Sequence, residues 1–281
     1  MFSAHSAWFL RPPRSKSLER ILAIALWSAS AWPMWRWWGR RLSEPFDADV
    51  AAWIVFAAFT AALWHRAGRT AFARPVPTWK WFFAAVFLVL FHLVRTALPP
   101  TASGVFAILA GLPLLLPEET DQGPLPPPLA ALALMGLPSA MILDFFLGYP
   151  LRVIATRLAA GLLSAAGLSV VRSGVELSTG DATVFVDAPC AGVRMLGAGL
   201  ILAFALAQSF RFRAGRTLIL AAVGLFAVIL GNVARITILT LFEAEGIPLS
   251  HAAHDAIGCI ALLLGATLCM LAATTLARRG R

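Results

Sequence analysis

Long apolar runs alternate with short polar connections along almost the whole of the 281-residue chain. A helix needs roughly 20 mostly apolar residues to cross the hydrocarbon core of a bilayer. By this measure the pattern predicts an all-α polytopic membrane protein with about eight transmembrane helices. The predicted spans are residues 18–38, 50–64, 79–98, 125–146, 153–170, 190–210, 217–242 and 254–277.

One further apolar run, residues 103–116, is too short to fit this scheme. It holds about 14 residues, fewer than a spanning helix needs. We predict that it is re-entrant or interfacial, which leaves the acidic, proline-rich connection after it (Glu118, Glu119, Asp121) outside the cell. If 103–116 crossed the membrane instead, a later segment would have to lie flat on the surface.

A single stretch, residues 172–187, has the alternation of a β-strand. Val175 and Leu177 alternate with polar residues, Val184 and Val186 repeat the two-residue spacing, and Ser178-Thr-Gly-Asp181 supplies a turn between the two arms. The pattern predicts a small extracytoplasmic β-hairpin. Its second arm leads to Asp187 and to Cys190, at the head of the next predicted helix.

Composition supports a membrane protein and changes the interpretation of the charge. The chain is 59% hydrophobic and 13% charged, with a mean hydropathy of +0.79, whereas soluble domains are about 25% charged. A net charge of +9 would suggest nucleic acid in a soluble protein, but here the basic residues flank predicted spans and set orientation. We expect a multi-pass protein of the cell (inner) membrane with both termini cytoplasmic, the lipid bilayer as a partner and no nucleic acid.

The chain divides by content into two regions. Residues 1–150 form an N-terminal multi-span region, and residues 151–281 form a C-terminal region that holds the candidate chemistry. No cleavable signal peptide is predicted, because tryptophans at 32–38 occupy the place where a small-residue cleavage site would follow the first apolar run.

Three residues of the C-terminal region have reactive or charged side chains, and a packing role poorly explains why all three occur together. Cys190 is predicted in the first turn of a helix, where free N–H groups and the helix dipole favour a thiolate. Arg235 lies inside an apolar run, at an insertion cost of roughly 2.5–3.5 kcal/mol that usually marks a partner or a function. His254 opens the last span. The span count takes all three residues to one face of the membrane, as a thiol nucleophile, an anion stabiliser and a base.

Each residue also has an ordinary structural interpretation. A cysteine at a helix start more often packs than reacts, an arginine near a helix end can snorkel, and an interfacial histidine can be a polar anchor. His251 is an alternative base, and Asn232, one turn before Arg235, could orient the guanidinium. His251 and His254 lack an obvious third metal ligand, so we predict no metal site and no cofactor.

At these residues the sequence resembles the exosortase/archaeosortase family. That family has a C-S-G-[LI]-R-like block, an N-x-x-R-I block and an H-x-x-x-G block. Here they read Cys190-Ala-Gly-Val-Arg194, Asn232-Val-Ala-Arg235-Ile236 and His254-Asp-Ala-Ile-Gly258, in the same order. The resemblance covers about Val170–Gly265. Ala191 stands where the family usually has serine, which leaves the three central residues intact and the subfamily open.

The resemblance implies a membrane-embedded, sortase-like cysteine transpeptidase. It would cleave the C-terminal sorting tails (PEP-CTERM-like) of exported surface proteins and pass them to an exopolysaccharide or lipid-linked acceptor. Cys190 would form a thioester, Arg235 would stabilise the oxyanion, and His254 would act as base and then as acid. Arg194 would favour the thiolate or bind an acidic substrate residue, and Asp187 would orient His254.

Two alternatives stay open at this point. Water could be the acceptor, which makes the protein a membrane protease with the same first half-reaction. In a different class, the protein could be a transporter or scaffold for exopolysaccharide export, with Arg235 as a counter-charge. A transporter should tolerate Cys190→Ser, whereas a cysteine enzyme should not.

Overall fold

The computed structural model of the chain describes residues 14–43, 58–59, 76–116, 126–137, 143–180, 182–187, 191–247 and 249–279. The chain packs as two units, Met1–Pro138 and Ser139–Arg281. The division at residue 150 stays a prediction. Except for Ala58 and Phe59, the predicted span over 50–64 lies outside the described residues.

The first unit is helical throughout its described part. Its helices are α1 (Arg14–Ser30), α2 (Trp32–Ser43), α3 (Thr78–Val94), α4 (Pro100–Leu115) and α5 (Pro127–Met135). The predicted span over 18–38 is therefore two helices that meet at Ala31, while the span predicted over 79–98 corresponds to α3. The short run 103–116 is a helix, α4, which packs along α3 and α1.

Two interactions fasten α4 within the first unit. The indole of Trp27 lies against Gly111 and its Nε1 donates to the carbonyl of Ala107 at 2.8 Å. The fully buried Lys80 donates from Nζ to the carbonyl of Leu116 at 2.8 Å. Leu116 is the C-cap of α4, where backbone carbonyls lack intrahelical donors. Both side chains thus bind backbone oxygens of one helix.

Within its described residues, the second unit combines four α-helices with one small sheet. A π-helical turn (Asp144–Gly148) leads into α6 (Tyr149–Ala165), and three strands follow: β1 (Val170–Ser173), β2 (Glu176–Thr179) and β3 (Ala182–Phe185). The remaining helices are α7 (Val193–Ser209), α8 (Ala214–Ala244) and α9 (His251–Arg278).

The structure corrects two predicted spans. Residues 125–146 do not form one element, because α5 ends at Met135 and residues 144–146 belong to the following helix. The predicted break between 146 and 153 is wrong, since Asp144–Ala165 is one continuous helical segment. Arg152 does not interrupt it: its Nε donates to the Gly148 carbonyl at 3.4 Å and its guanidinium lies over the Tyr149 ring, so the charge is accommodated along the helix surface.

The predicted hairpin is confirmed, within a sheet of three antiparallel strands in the order β1-β2-β3. β2 and β3 pair Leu177 with Val184 and Thr179 with Ala182 around the turn at Gly180. Strand β1 was not predicted; it continues the sheet through the turn at Gly174 and pairs Val171 with Ser178. Both turn glycines have positive φ (61° and 58°), which side-chain-bearing residues rarely adopt.

Three helices of the described chain are long and apolar enough to cross a membrane: residues 144–165, 214–244 and 252–278. Three shorter apolar helices, α3, α4 and α7, have 16 or 17 residues. A membrane protein with several apolar helices and a small sheet is confirmed, whereas the count of eight spans is not.

Helix α8 is the centre of the second unit. It packs against α6, α7, α9 and β3. At its C-terminal half, Val233 and Ile236 share a core with Leu177 and Val186 of the sheet region and with Ala159 of α6. The sheet is thus fixed on α6 and α8 by its buried face, and its last strand leads to the head of α7.

Candidate functional site

The head of α7 is shaped by Gly192. This residue is the N-cap of the helix and has φ of 76°, a left-handed conformation that stops α-helix from extending further toward the N-terminus. The first residue of α7 is Val193, and the prediction that Cys190 lies in a first helical turn stays a prediction. Cys190 itself lies outside the described residues, which resume at Ala191.

Gly192 lies against Asn232 of α8. A Cβ at position 192 would come within 2.9 Å of both Cγ and Nδ2 of Asn232, closer than real Cβ atoms approach other atoms. Asn232 is buried, and with Ala191, Leu196 and Val228 it lines a cavity of about 10 Å³, room for about one water molecule. The backbone next to Cys190 is therefore in direct contact with the amide of Asn232.

Small residues set the register between α7 and α8. Gly199 packs on Val228, and a Cβ at Gly224 would lie 3.3 Å from the Cβ of Ala203. The two helices therefore run antiparallel, and the face of α8 formed by residues 224, 228 and 232 is turned toward α7. This register brings the head of α7 level with Asn232.

A second stripe of small residues sets the register between α8 and α9. A Cβ at Gly231 would lie 3.1 Å from the Ala261 carbonyl oxygen, and one at Gly265 would lie 3.8 Å from Ala227. In membranes, small residues of this kind allow close helix approach. These helices are also antiparallel, and Arg235 continues the α8 stripe one turn beyond Gly231.

Arg235 is half-buried at the α8–α9 contact. A Cβ at Gly258 would lie 3.5 Å from its Nε and 3.6 Å from its Cζ, so the guanidinium occupies the space that a glycine leaves. Its Nε is shielded from solvent and has no hydrogen-bond partner among the described residues. A buried N–H of this kind retains unused donor capacity.

His254 lies in the first turns of α9 and is half-buried. Ser250 caps this helix, accepting a hydrogen bond from the Ala253 N–H at 3.2 Å. His254 precedes Gly258 by four residues, hence it lies on the same face of α9, about 6 Å further along the axis. The histidine and the arginine therefore occupy adjacent turns of one helix–helix contact.

The two charged supporting residues are at the surface. Asp187 is exposed two residues after β3, and Arg194 is exposed at the second position of α7. No hydrogen bond joins Asp187 to His254 in the described part of the chain. Their roles stay predictions. Among the described residues, no group of three His, Cys, Asp or Glu side chains comes together as a metal site would require.

The contribution of the glycines was not predicted from the sequence. Gly192 and Gly258 were noted only as members of motifs, although each makes room for one candidate site residue, Asn232 or Arg235. The available signal was the recurrence of glycine at residues 192, 199, 224, 231, 258 and 265, within otherwise apolar runs. Such recurrence is typical of closely packed membrane helices.

Comparison with known proteins assigns the chain to a family. The chain matches no curated protein sequence and no solved structure. The family described as Transmembrane exosortase (Exosortase_EpsH) matches residues 37–271, which include the α7–α8–α9 contacts around Asn232, Arg235 and His254. Exosortases are membrane cysteine transpeptidases. Because the match covers most of the chain, this protein belongs to the transmembrane exosortase family.

Proposed function

We propose that the protein is a cysteine protease/transpeptidase of the cell membrane that removes C-terminal sorting tails from exported proteins. Cys190, Arg235 and His254 are its catalytic residues, and Asn232, Arg194 and Asp187 support them. The active site faces the extracytoplasmic side, and both termini are cytoplasmic. Family membership supports the reaction class, and the contacts around Arg235 support the placement.

The proposal rests mainly on the hydrogen bonding of Arg235. Its Nε is buried and has no hydrogen-bond partner in the described chain, one helical turn from His254 on the facing helix. Asn232, one turn before Arg235 on α8, contacts Gly192, two residues from Cys190 in the chain. Three adjacent helices thus contribute to the proposed site. α8 provides the Arg235 donor, which has no partner among the described residues, α9 provides the base His254, and α7 follows the segment that contains Cys190.

The chemistry follows the capacities of these groups. His254 takes the thiol proton, and Cys190 Sγ adds to the scissile carbonyl carbon to give a tetrahedral intermediate. Arg235 donates hydrogen bonds to the oxyanion, which such donors stabilise most effectively in a partly dry site. The intermediate collapses to a thioester as the C–N bond breaks, and His254 returns its proton to the leaving amine of the tail.

The second half-reaction releases the exported protein. An acceptor nucleophile loses its proton to His254, adds to the thioester carbonyl and expels the Cys190 thiolate. The acceptor we propose is linked to exopolysaccharide or lipid, and water is the alternative that gives hydrolysis. A substrate whose tail is itself a membrane helix would reach this site from the bilayer, which accounts for a polytopic enzyme.

The experiment is co-expression with a tailed candidate substrate, followed by mass spectrometry of the substrate C-terminus. We expect tail loss with the wild-type protein and none with Cys190→Ala. Cys259→Ala is the matched control, because Cys259 is an exposed free cysteine on α9. The new terminus reports whether water or another nucleophile was the acceptor.

Tail loss that persists in Cys190→Ala would refute the thiol mechanism. Such a result would favour the competing function, a transporter or scaffold for polysaccharide export in which Arg235 is a counter-charge. Family membership favours the enzyme over that alternative.

A further inference from the structure

The three-stranded sheet has one buried face and one exposed face. On β2, Leu177 and Thr179 are buried, and they pair with Val184 and Ala182 of β3. The intervening residues of β3, Thr183 and Phe185, are exposed, and so is Asp187 just beyond the strand. The buried face packs on α6 and α8 through Leu177 and Val186, so the other face is free of the described helices.

The hydrogen-bond directions along β3 follow from its register. The N–H of Val186 donates to the carbonyl of Val175 on the β2 side at 3.0 Å. Since alternate residues of an antiparallel strand point their N–H and C=O groups to opposite sides, residues 182, 184 and 186 face β2. The main-chain groups of Thr183, Phe185 and Asp187 therefore face away from the sheet. In the described residues, no strand lies beyond this edge.

The free edge of β3 lies on the side of the sheet that leads to the proposed site. β1 packs on α6 and β3 packs on α8, so a strand added to β3 would lie over α8 on the side away from α6. α8 carries Asn232 and Arg235, and the chain reaches Cys190 five residues after Phe185. The edge groups are thus connected to the candidate site by both packing and sequence.

The opposite edge is less suited to pairing. By the same alternation, the outward main-chain groups of β1 belong to Val170 and Arg172. Arg172 is an exposed cation on this edge, and its Nη1 bonds to the Gly174 carbonyl. Charged side chains on an edge strand oppose the addition of another strand. Strand β3 (Ala182–Phe185) carries no charged side chain, and Asp187 lies two residues beyond it, so β3 is the more favourable edge for pairing with a peptide.

We infer that the free edge of β3 binds an extended segment of the substrate by strand addition. The segment precedes the membrane tail, its backbone pairs with Thr183, Phe185 and Asp187, and the exposed Phe185 ring contacts its alternate side chains. Backbone pairing holds the chain extended and delivers the scissile carbonyl toward Cys190. This inference rests on the proposed function, for which it specifies the form in which the substrate is bound.

The first test is photo-crosslinking from the sheet in the full-length protein. p-Benzoylphenylalanine replaces Phe185 or, as the matched control, Val171; both side chains are large, apolar and exposed (56% and 67%), but they lie on opposite edge strands. The Cys190→Ala background prevents turnover, and the partner is a tailed substrate that the wild-type protein cleaves. We expect crosslinks from position 185, mapped to the residues before the tail, and few from position 171.

Equal crosslinking from the two positions, or none from position 185, would overturn the inference while wild-type cleavage keeps the proposed function intact. If the wild-type protein cleaves no tailed substrate, the proposed function fails and the inference fails with it. The two failures are therefore distinguishable.

The second test examines the backbone of the substrate. Replacing single residues before the cleavage point by α-hydroxy acids changes an N–H into an ester oxygen without altering the side chain. We expect cleavage to fall about 2- to 10-fold at every second position, as the loss of one hydrogen bond predicts, and to be nearly unchanged between them. A profile without this two-residue period would contradict strand pairing.

Discussion

Lys80 in the first unit and Arg235 in the second unit differ in their burial and in their hydrogen bonds. Lys80 is fully buried and binds the carbonyl oxygen of Leu116, which closes the end of α4. Arg235 is half-buried, and its Nε has no hydrogen-bond partner in the described chain. Lys80 thus binds a backbone oxygen within the fold, whereas we propose that Arg235 keeps a donor for a ligand. Since buried polar groups in proteins are usually hydrogen-bonded, a buried Nε without a partner among the described residues is an exception that a ligand would explain.

The largest effect is expected from Arg235→Ala. Removing an oxyanion donor lowers the rate of tail cleavage by about 100- to 1,000-fold, while the unfolding transition in detergent changes little because Nε makes no hydrogen bond to the described protein. The measurement is cleavage rate together with thermal unfolding of the same preparation. If the variant unfolds at a lower temperature and its cleavage rate falls in proportion to the folded fraction, Arg235 would have a structural role like that of Lys80.

Gly192→Ala is expected to have the next effect. The added Cβ would lie 2.9 Å from the Asn232 amide, and the alanine would have to adopt φ of 76°. We expect both effects to displace the segment that contains Cys190. We expect cleavage to fall about 10- to 100-fold, equivalent to 1–3 kcal/mol of overpacking. The measurement is kcat and KM for a tailed substrate, with the loss mainly in kcat.

Gly197→Ala is the matched control on the same helix, since a Cβ there meets nothing within 4 Å. Asn232→Ala in the Gly192→Ala protein removes the overlapping amide, so the loss caused by alanine at 192 should become smaller in that background. An equal effect at positions 192 and 197 would show that the contact with Asn232 does not position the site.

The smallest effect is expected from Lys80→Met, and it falls on stability. The substitution removes the bond to the Leu116 carbonyl and the cation above the Trp79 ring, and we expect a loss of about 1.5 kcal/mol in unfolding free energy. Cleavage by the folded fraction should be unchanged. A drop in kcat without a drop in stability would give Lys80 a catalytic role and remove the contrast with Arg235.

Local patterns were sufficient for part of the fold. The alternation of Val175 and Leu177 with polar residues, the two-residue spacing of Val184 and Val186, and the glycine-containing turn predicted the β2–β3 hairpin. β1 was missed because Val170 and Val171 continue the apolar run of α6, and a tight turn at Gly174 was not recognised. The predicted break between residues 146 and 153 is absent from the structure, because the side chain of Arg152 bonds to its own backbone and lies over a neighbouring ring without ending the helix.

The candidate site was predictable in residue types but not in arrangement. Arg235 and His254 stood out because polar residues are expensive in apolar runs. Their placement in adjacent turns depends on which faces of α8 and α9 meet, and this is decided by Gly231 and Gly258. Likewise, α7 begins at Val193 after a left-handed Gly192, a backbone conformation that hydrophobic periodicity does not encode.

Because Gly231 lies directly against the backbone of Ala261, α8 and α9 are closer at this point than a side chain at position 231 would readily allow. It lies one turn from Arg235, so the separation of α8 and α9 at that depth fixes how far Arg235 stands from His254. Any side chain at position 231 would act as a wedge that spreads the two helices. A relative with a larger residue at this position would therefore have a wider gap between the helices that carry Arg235 and His254.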